Sequence, residues 1–208
     1  MSADKALTRV IQYLMNNPEF YLENKEVDRG GDNADVVECY SDASHAGDNP
    51  HDTFSQTGVI VVMNGSPVYW CSKKQVDSTA ISSASAEIYA LSEAVRAVRF
   101  HAWICADMQV QVNSPLQVFV DNKQAITFQK GTCLKSKPRG GVSLRWAWKK
   151  ELKEARDIDG RHVPGRLQKA DIFTKGLPNY KFQEQLKTLR GGLHLGHYME
   201  VVQLAKVK

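Results

Sequence analysis

Four carboxylates in this chain stand where acids are awkward. Asp42 ends the strand-like run Tyr40-Ser41-Asp42, and Asp121 ends the apolar run Leu116-Gln117-Val118-Phe119-Val120. Glu87 falls at the edge of the apolar stripe of a long helical segment, and Asp171 opens a late one in Lys169-Ala170-Asp171-Ile172-Phe173. An unpaired carboxylate beside an apolar interface is costly, so it needs a partner or a raised pKa. No lysine or arginine lies at helical spacing from Glu87. A cation from the medium would answer that need, and clustered carboxylates with water are what Mg²⁺ accepts. Taken singly, each acid has a plainer role. Asp121 before Asn122 suits a helix cap, Asp171 a helix-dipole contact, Asp42 a turn and Glu87 a shielded surface acid. Only their joint placement is informative.

The second chemical signal is charge. The net charge is only +4, but residues 1–60 hold four basic and eleven acidic side chains, and residues 131–170 hold eleven basic and four acidic. The basic block centres on Lys135, Lys137, Arg139, Arg145, Lys149, Lys150 and Lys153, with Arg166 beyond it. Such a block in a nearly neutral protein is a footprint for a polyanion, though basic helices are often only solvated faces. Trp146 and Trp148, two residues apart, fall on different sides of a helix and read first as core.

The elements that must carry these groups follow from the apolar pattern. Leu7, Val10, Ile11 and Leu14 predict a short amphipathic helix over 4–16. The polar stretch Asp28-Arg29-Gly30-Gly31-Asp32-Asn33 is the best boundary in the chain. Strands are expected over 36–42 and 57–63, the latter continuous enough to be buried on both faces. Asn64-Gly65 is the sharpest hairpin signal and leads into Val68-Tyr69-Trp70-Cys71. Ile88, Leu91, Val95, Val98, Ala102 and Cys105 predict a long helix over 84–108. The strand 116–120 follows that crossover and should therefore run parallel to an earlier strand. Short helices are expected over 122–130 and 142–156, a strand over 158–163, and helices over 168–175 and 179–189. The order βββαβααβαα describes a mixed sheet flanked by helices.

Composition narrows the classes further. With 42% hydrophobic and 24% charged residues, disordered and fibrous chains are excluded. No apolar run approaches the roughly 20 residues of a membrane span, and the N-terminus lacks the form of a signal peptide. An intracellular protein is expected. The cysteines at 39, 71, 105 and 133 have neither zinc nor disulfide-scaffold spacing and read as reduced, mostly buried thiols. There is no dinucleotide fingerprint, P-loop or serine elbow.

Taken together, these blocks resemble ribonuclease H, and more closely the ribonuclease H domain of copia-type LTR retrotransposon polyproteins. The resemblance rests on Tyr40-Ser41-Asp42-Ala43-Ser44 with Ala46-Gly47-Asp48, and on Ser66-Pro67-Val68-Tyr69-Trp70 with Ser72-Lys73-Lys74-Gln75. It continues through Ser82-Ser83-Ala84-Ser85-Ala86-Glu87, Val120-Asp121-Asn122-Lys123-Gln124-Ala125 and Ala170-Asp171-Ile172-Phe173-Thr174-Lys175-Gly176-Leu177-Pro178. Residues 36–190 are covered, in family order. The helix around Ala6–Leu14 is similar to the family segment that follows reverse transcriptase. The resemblance implies an N-terminal helix and linker over 1–33, a ribonuclease H-like α/β domain over 34–190 and a C-terminal tail over 191–208.

It also implies an activity, namely metal-dependent endonucleolytic hydrolysis of the RNA strand of RNA–DNA hybrids, giving 5′-phosphates. Asp42 would bridge two Mg²⁺ ions (or Mn²⁺), Glu87 and Asp121 would complete one site, and Asp171 would hold the other. The basic residues of 135–153 and Arg166 would contact the hybrid. The reverse transcriptase domain of the same polyprotein is the implied partner, and a cytoplasmic virus-like particle or the nucleus the implied location. Two departures stand out. The loop before the last aspartate reads Val163-Pro164-Gly165-Arg166, without the histidine many ribonucleases H carry there, and His162 reads as structural. The segment 138–144 lacks the Lys-His-Ile usual in the copia family. These departures leave an alternative, a catalytically weak nucleic-acid-binding or scaffold domain of the same fold. An integrase- or resolvase-like nuclease is a third reading, against which Glu87 on the first long helix counts.

Overall fold

The central strand is the one that carries Asp42. In the computed structural model, which describes residues 3–18, 22, 35–45, 54–75, 83–123, 125–126 and 157–190, β1 (Val37–Ser44) is buried along almost its whole length. It pairs antiparallel with β2 (Gln56–Met63), which pairs antiparallel with β3 (Ser66–Lys74). The β2–β3 turn is built on Asn64 and Gly65, at φ 49° and 82°. Both lie in the left-handed region that a tight hairpin of this twist requires. Asn64 also ties the turn back to the start of β1, its Oδ1 accepting from the Val36 amide at 2.9 Å.

On its other side β1 pairs with β4 (Leu116–Val120), and β4 with β5 (Ile158–His162), both parallel. The sheet order is β3-β2-β1-β4-β5, the mixed five-stranded ribonuclease H-like α/β arrangement expected above. The crossover between the antiparallel strands and β4 is α2 (Ser83–Asp107). One face of the sheet packs on α2 through Val37, Cys39, Val59, Val61, Val118 and Val120 against Leu91, Ala94, Val95 and Val98. Each valine or leucine among them contributes about 1.5–3 kcal/mol on burial. The opposite face holds Tyr40, Ile60, Val62 and Phe119 with Val163, Ala170 and Leu189. There the Tyr40 and Phe119 rings stack at 4.9 Å.

Two helices flank this frame. α1 (Ala3–Asn16) keeps Leu7, Val10, Ile11 and Leu14 exposed and meets α3 (Asn179–Arg190) through an edge-to-face contact of Tyr13 with Phe182. The helix expected over 168–175 is not one. Its place is taken by the 3-10 turn Asp171–Phe173, which is reached from an earlier one, Gly165–Leu167, through the buried residues Gln168, Lys169 and Ala170. Gln168, at φ −74° and ψ 101°, leaves the helical region so that its side-chain amide can donate to the Ser41 carbonyl at 2.8 Å. Pro164 and Pro178 bracket the segment and limit any helix there. The helix expected over 142–156 and most of that over 122–130 lie outside the described residues. Cys39 and Cys105 are buried and Cys71 half-buried, all as free thiols, while Cys133 also lies outside.

The second 3-10 turn sits directly on β2 at Gly58. A Cβ there would come within 2.7 Å of the Ala170 carbonyl and 2.8 Å of Thr174 Cγ2. Neither the turn backbone nor a β-branched side chain yields cheaply, so glycine is required for this close approach. Gly58→Ala should therefore lower stability by about 1–3 kcal/mol, read as a Tm several degrees below wild type. An unchanged melting curve would show that the turn is not seated on β2.

Candidate active site

Strand register brings the first two acids together. The parallel β1–β4 ladder ends with Ser41 opposite Val120, so Asp42 and Asp121 are the next residues of neighbouring strands at their carboxyl ends. That edge is where open α/β sheets place their ligands. Glu87 arrives from α2, whose first turns approach β1 closely because Ala43, Ala86 and Ala90 are all small. The buried Gln75 amide fixes that approach, donating to Thr57 Oγ1 at 2.9 Å and to the Ala86 carbonyl at 3.0 Å. Carboxylate oxygens of Asp42, Glu87 and Asp121 lie within 4.8 Å of one another. Glu87 is 5% exposed and Asp42 1%.

Asp171 joins from the far side through an intermediary. Lys175 Nζ stands 2.5 Å from Asp171 Oδ1 and 3.4 Å from Asp42 Oδ2. The Thr174 hydroxyl donates to the same Asp42 oxygen. Anchors on both sides hold this turn in place. Gln168 bonds to β1, its own carbonyl accepts from the Gln185 amide of α3 at 3.3 Å, and Ser72 on β3 donates to the Phe173 carbonyl at 2.6 Å. Beside it the buried Lys169 ammonium lies 4.8 Å above the Tyr40 ring, and Tyr40 donates to Glu38 at 3.1 Å.

The electrostatic state of the cluster is strained. Burial, then the neighbouring Asp42 and Asp121 carboxylates, push the Glu87 pKa from 4.5 to about 9, against the relief given by Lys175 and the Ala43 amide. Burial likewise raises Asp42, where Lys175 and Thr174 oppose the shift and Asp121 and Asp171 add to it. Asp121 is raised by burial and by Asp171, with Lys175 and His162 pulling the other way. Glu87 Oε2 is buried and has no hydrogen-bond partner among the described residues. A buried carboxyl oxygen without a described partner, facing two more carboxyl groups, completes a donor set for a hard divalent cation, whose binding would displace the Glu87 proton. The residues present fit that group.

Of the remaining sequence candidates, Arg166 is exposed on the first 3-10 turn. Its neighbour Gly165 would place a Cβ 3.9 Å from Asp121 Oδ2, so the turn borders the site. His162 is half-buried at the end of β5, opposite Val120. Lys135, Lys137, Arg139, Arg145, Lys149, Lys150 and Lys153, with Trp146 and Trp148, lie outside the described residues. Sequence reasoning missed Lys175, Thr174, Gln168 and Gly58. A signal existed for Lys175, four residues after Asp171, because that spacing pairs opposite charges across one turn.

No protein-family model matches the chain. Among curated proteins it is 28% identical over 181 residues to the retrovirus-related Pol polyprotein from transposon RE2 of Arabidopsis thaliana. It is 26% identical over 182 residues to that from transposon RE1 of the same plant. In each case 86% of this chain is matched but only 12% of the relative's length. Among solved structures, LC11-RNase H1, isolated from compost, superposes with a TM-score of 0.47 at 17% identity, over 74% of this chain and 99% of that one.

The raised Glu87 pKa sets a pH dependence. A carboxyl group whose pKa rises on folding favours the folded state while protonated, so that stabilisation is complete below about 4.5 and lost as pH rises through about 9. Without divalent ions, Tm should therefore fall between pH 6 and pH 9, and Glu87→Gln should flatten the fall. Added Mn²⁺ should raise Tm more at pH 8.5 than at pH 6, because protons and metal compete for the same oxygens. Superimposable curves for wild type and Glu87→Gln, with no Mn²⁺ response, would contradict this electrostatic account.

Proposed function

The chain is homologous to part of the retrovirus-related Pol polyproteins of plant transposons, and we propose that it is their ribonuclease H, a divalent-metal-dependent endonuclease that hydrolyses the RNA strand of RNA–DNA hybrids. The observation that carries this reading is the convergence of Asp42, Glu87 and Asp121 within 4.8 Å, with Glu87 Oε2 lacking a hydrogen-bond partner among the described residues.

Asp42, Glu87 and Asp121 would hold one ion, and Asp42 with Asp171 a second. Two such ions, when bound, supply an activated water on one side of a phosphodiester and neutralise the leaving oxygen on the other, giving 5′-phosphate and 3′-hydroxyl ends. The protein's contribution is rigidity. β1 and β4 fix the Asp42–Asp121 spacing, and the Ala43–Ala86–Ala90 contact fixes Glu87. The burial of Asp42 and Glu87 strengthens the charge interactions around them. Arg166 stands at the border of the site, where a guanidinium suits a phosphate of the hybrid. The basic side chains of 135–153 would extend that contact along the duplex.

A second reading, a hybrid-binding domain with little turnover, is favoured by one feature, the presence of Arg166 where a loop histidine would stand. An arginine stays charged and moves no proton. The two readings separate in one experiment on a labelled hybrid with Mg²⁺ or Mn²⁺. Wild type should cleave the RNA strand, and Asp121→Asn should lower the rate by about 10²-fold or more without lowering Tm, since it removes a repelling charge. Hybrid that is bound but left uncut by wild type across metal and salt would establish the binding-domain reading instead. Arg166→Ala should leave the cleavage pattern intact, weaken hybrid binding, and reduce the slope of log affinity against log salt by about one. An unchanged slope would remove Arg166 from the interface.

A further inference from the structure

Lys175 is the residue that the proposed function leaves unused, and its position is unusual. Its ammonium lies between Asp42 and Asp171, the pair assigned above to the second ion. It reaches that point from a turn whose backbone is pinned, the Thr174 and Lys175 amides both donating to the Asp171 carbonyl at 3.2 Å. Its side chain is nevertheless 41% exposed, against 1% for Asp42. The stem can leave toward solvent without opening the core, while the carboxylates cannot move. By contrast, the buried Glu87 Oε2 on the other side of Asp42 has no hydrogen-bond partner among the described residues.

We infer that Lys175 is a tethered cation that stands in for the second divalent ion and must swing out before that ion enters. This rests on the reading of the four acids as a two-ion site. It imposes an order. The corner formed by Asp42, Glu87 and Asp121 takes its ion first, because that ion meets an uncompensated oxygen. The second ion competes with a positive charge already paired to both of its ligands. An ammonium neutralises carboxylates as a point charge but carries no coordinated water to activate. The ion-free and one-ion states are thereby held together yet inactive, and activity should rise more steeply than linearly with ion concentration.

The test uses the full chain, with Mn²⁺ as the probe, its binding counted by electron paramagnetic resonance and calorimetry. If the bridged arrangement is populated at about 90%, the apparent affinity for the second ion is reduced about tenfold. Lys175→Met should therefore tighten the second Mn²⁺ site by about tenfold, leave the first within twofold, and melt earlier than wild type in EDTA. Lys175→Arg, which keeps the charge, should retain the wild-type pattern. Wild type itself gives an independent measurement. Acetylation of the Lys175 amine, quantified by mass spectrometry, should be slow in EDTA and accelerate only at Mn²⁺ concentrations that fill the second site. Equal affinities of the second ion in wild type and Lys175→Met, or Lys175 reactivity indifferent to Mn²⁺, would overturn the inference while leaving the metal reading standing. Failure of wild type and both variants to bind any Mn²⁺ would overturn both.

Discussion

Carboxylates of like charge, two of them almost fully buried, are held around one point, and the rest of the structure is arranged to resist their repulsion. Asp42 and Asp121 cannot separate without breaking the parallel ladder that runs from Glu38 opposite Gln117 to Ser41 opposite Val120. Glu87 cannot withdraw without lifting α2 from β1 at three alanines and breaking the two bonds of Gln75. The consequence is visible in the raised pKa values of all three, with burial as the largest cause. A fold that tolerates such a cluster gives up stability for a concentrated negative field, and that field is what a divalent ion would relieve.

The fourth acid is held differently. Asp171 is on a 3-10 turn rather than on a strand or long helix, and its position depends on fixings from three strands and a helix. Gly58 on β2 allows the approach, Ser72 on β3 binds the Phe173 carbonyl, and Gln168 links Ser41 of β1 to Gln185 of α3. Lys169 adds an apolar-side anchor over the Tyr40 ring. Short turns have little intrinsic stability, so this one owes its place to tertiary contacts.

That contrast explains what could be read from the sequence. Strands and the long helix follow from periodicity, because valines at 59 and 61 or the stripe Leu91–Val95–Val98 bury the same face whatever else happens. That β4 runs parallel to an earlier strand follows from the crossover, while its pairing with β1, which brings Asp42 beside Asp121, comes from the sheet itself. The segment 168–175 misled because its local pattern suits a helix, while Gln168 and Lys169 find buried partners on the distant strand β1, which no local window contains. Gly58 looked like an ordinary residue of an apolar strand. Its requirement comes from a turn more than a hundred residues later. Lys175 was overlooked because partners were sought along the helix of Glu87, whereas its charge crosses to Asp42 from another element.

The division of labour between rigid and mobile parts bears on function. The repulsion among Asp42, Glu87 and Asp121 resides on side chains fixed by strands, alanine contacts and a buried amide. The compensating charge resides on the half-exposed Lys175, one turn beyond Asp171. A site that must exchange its counter-charge for ions needs its anions preorganised, since any rearrangement of them would be added to the cost of binding. It equally needs the resident cation to leave at little cost, and a lysine stem that is already partly solvated does so. A deeply buried lysine at that position would hold the cluster more firmly and exchange less readily. The position of one ammonium therefore links the stability of the fold to the readiness of its acidic centre to accept metal.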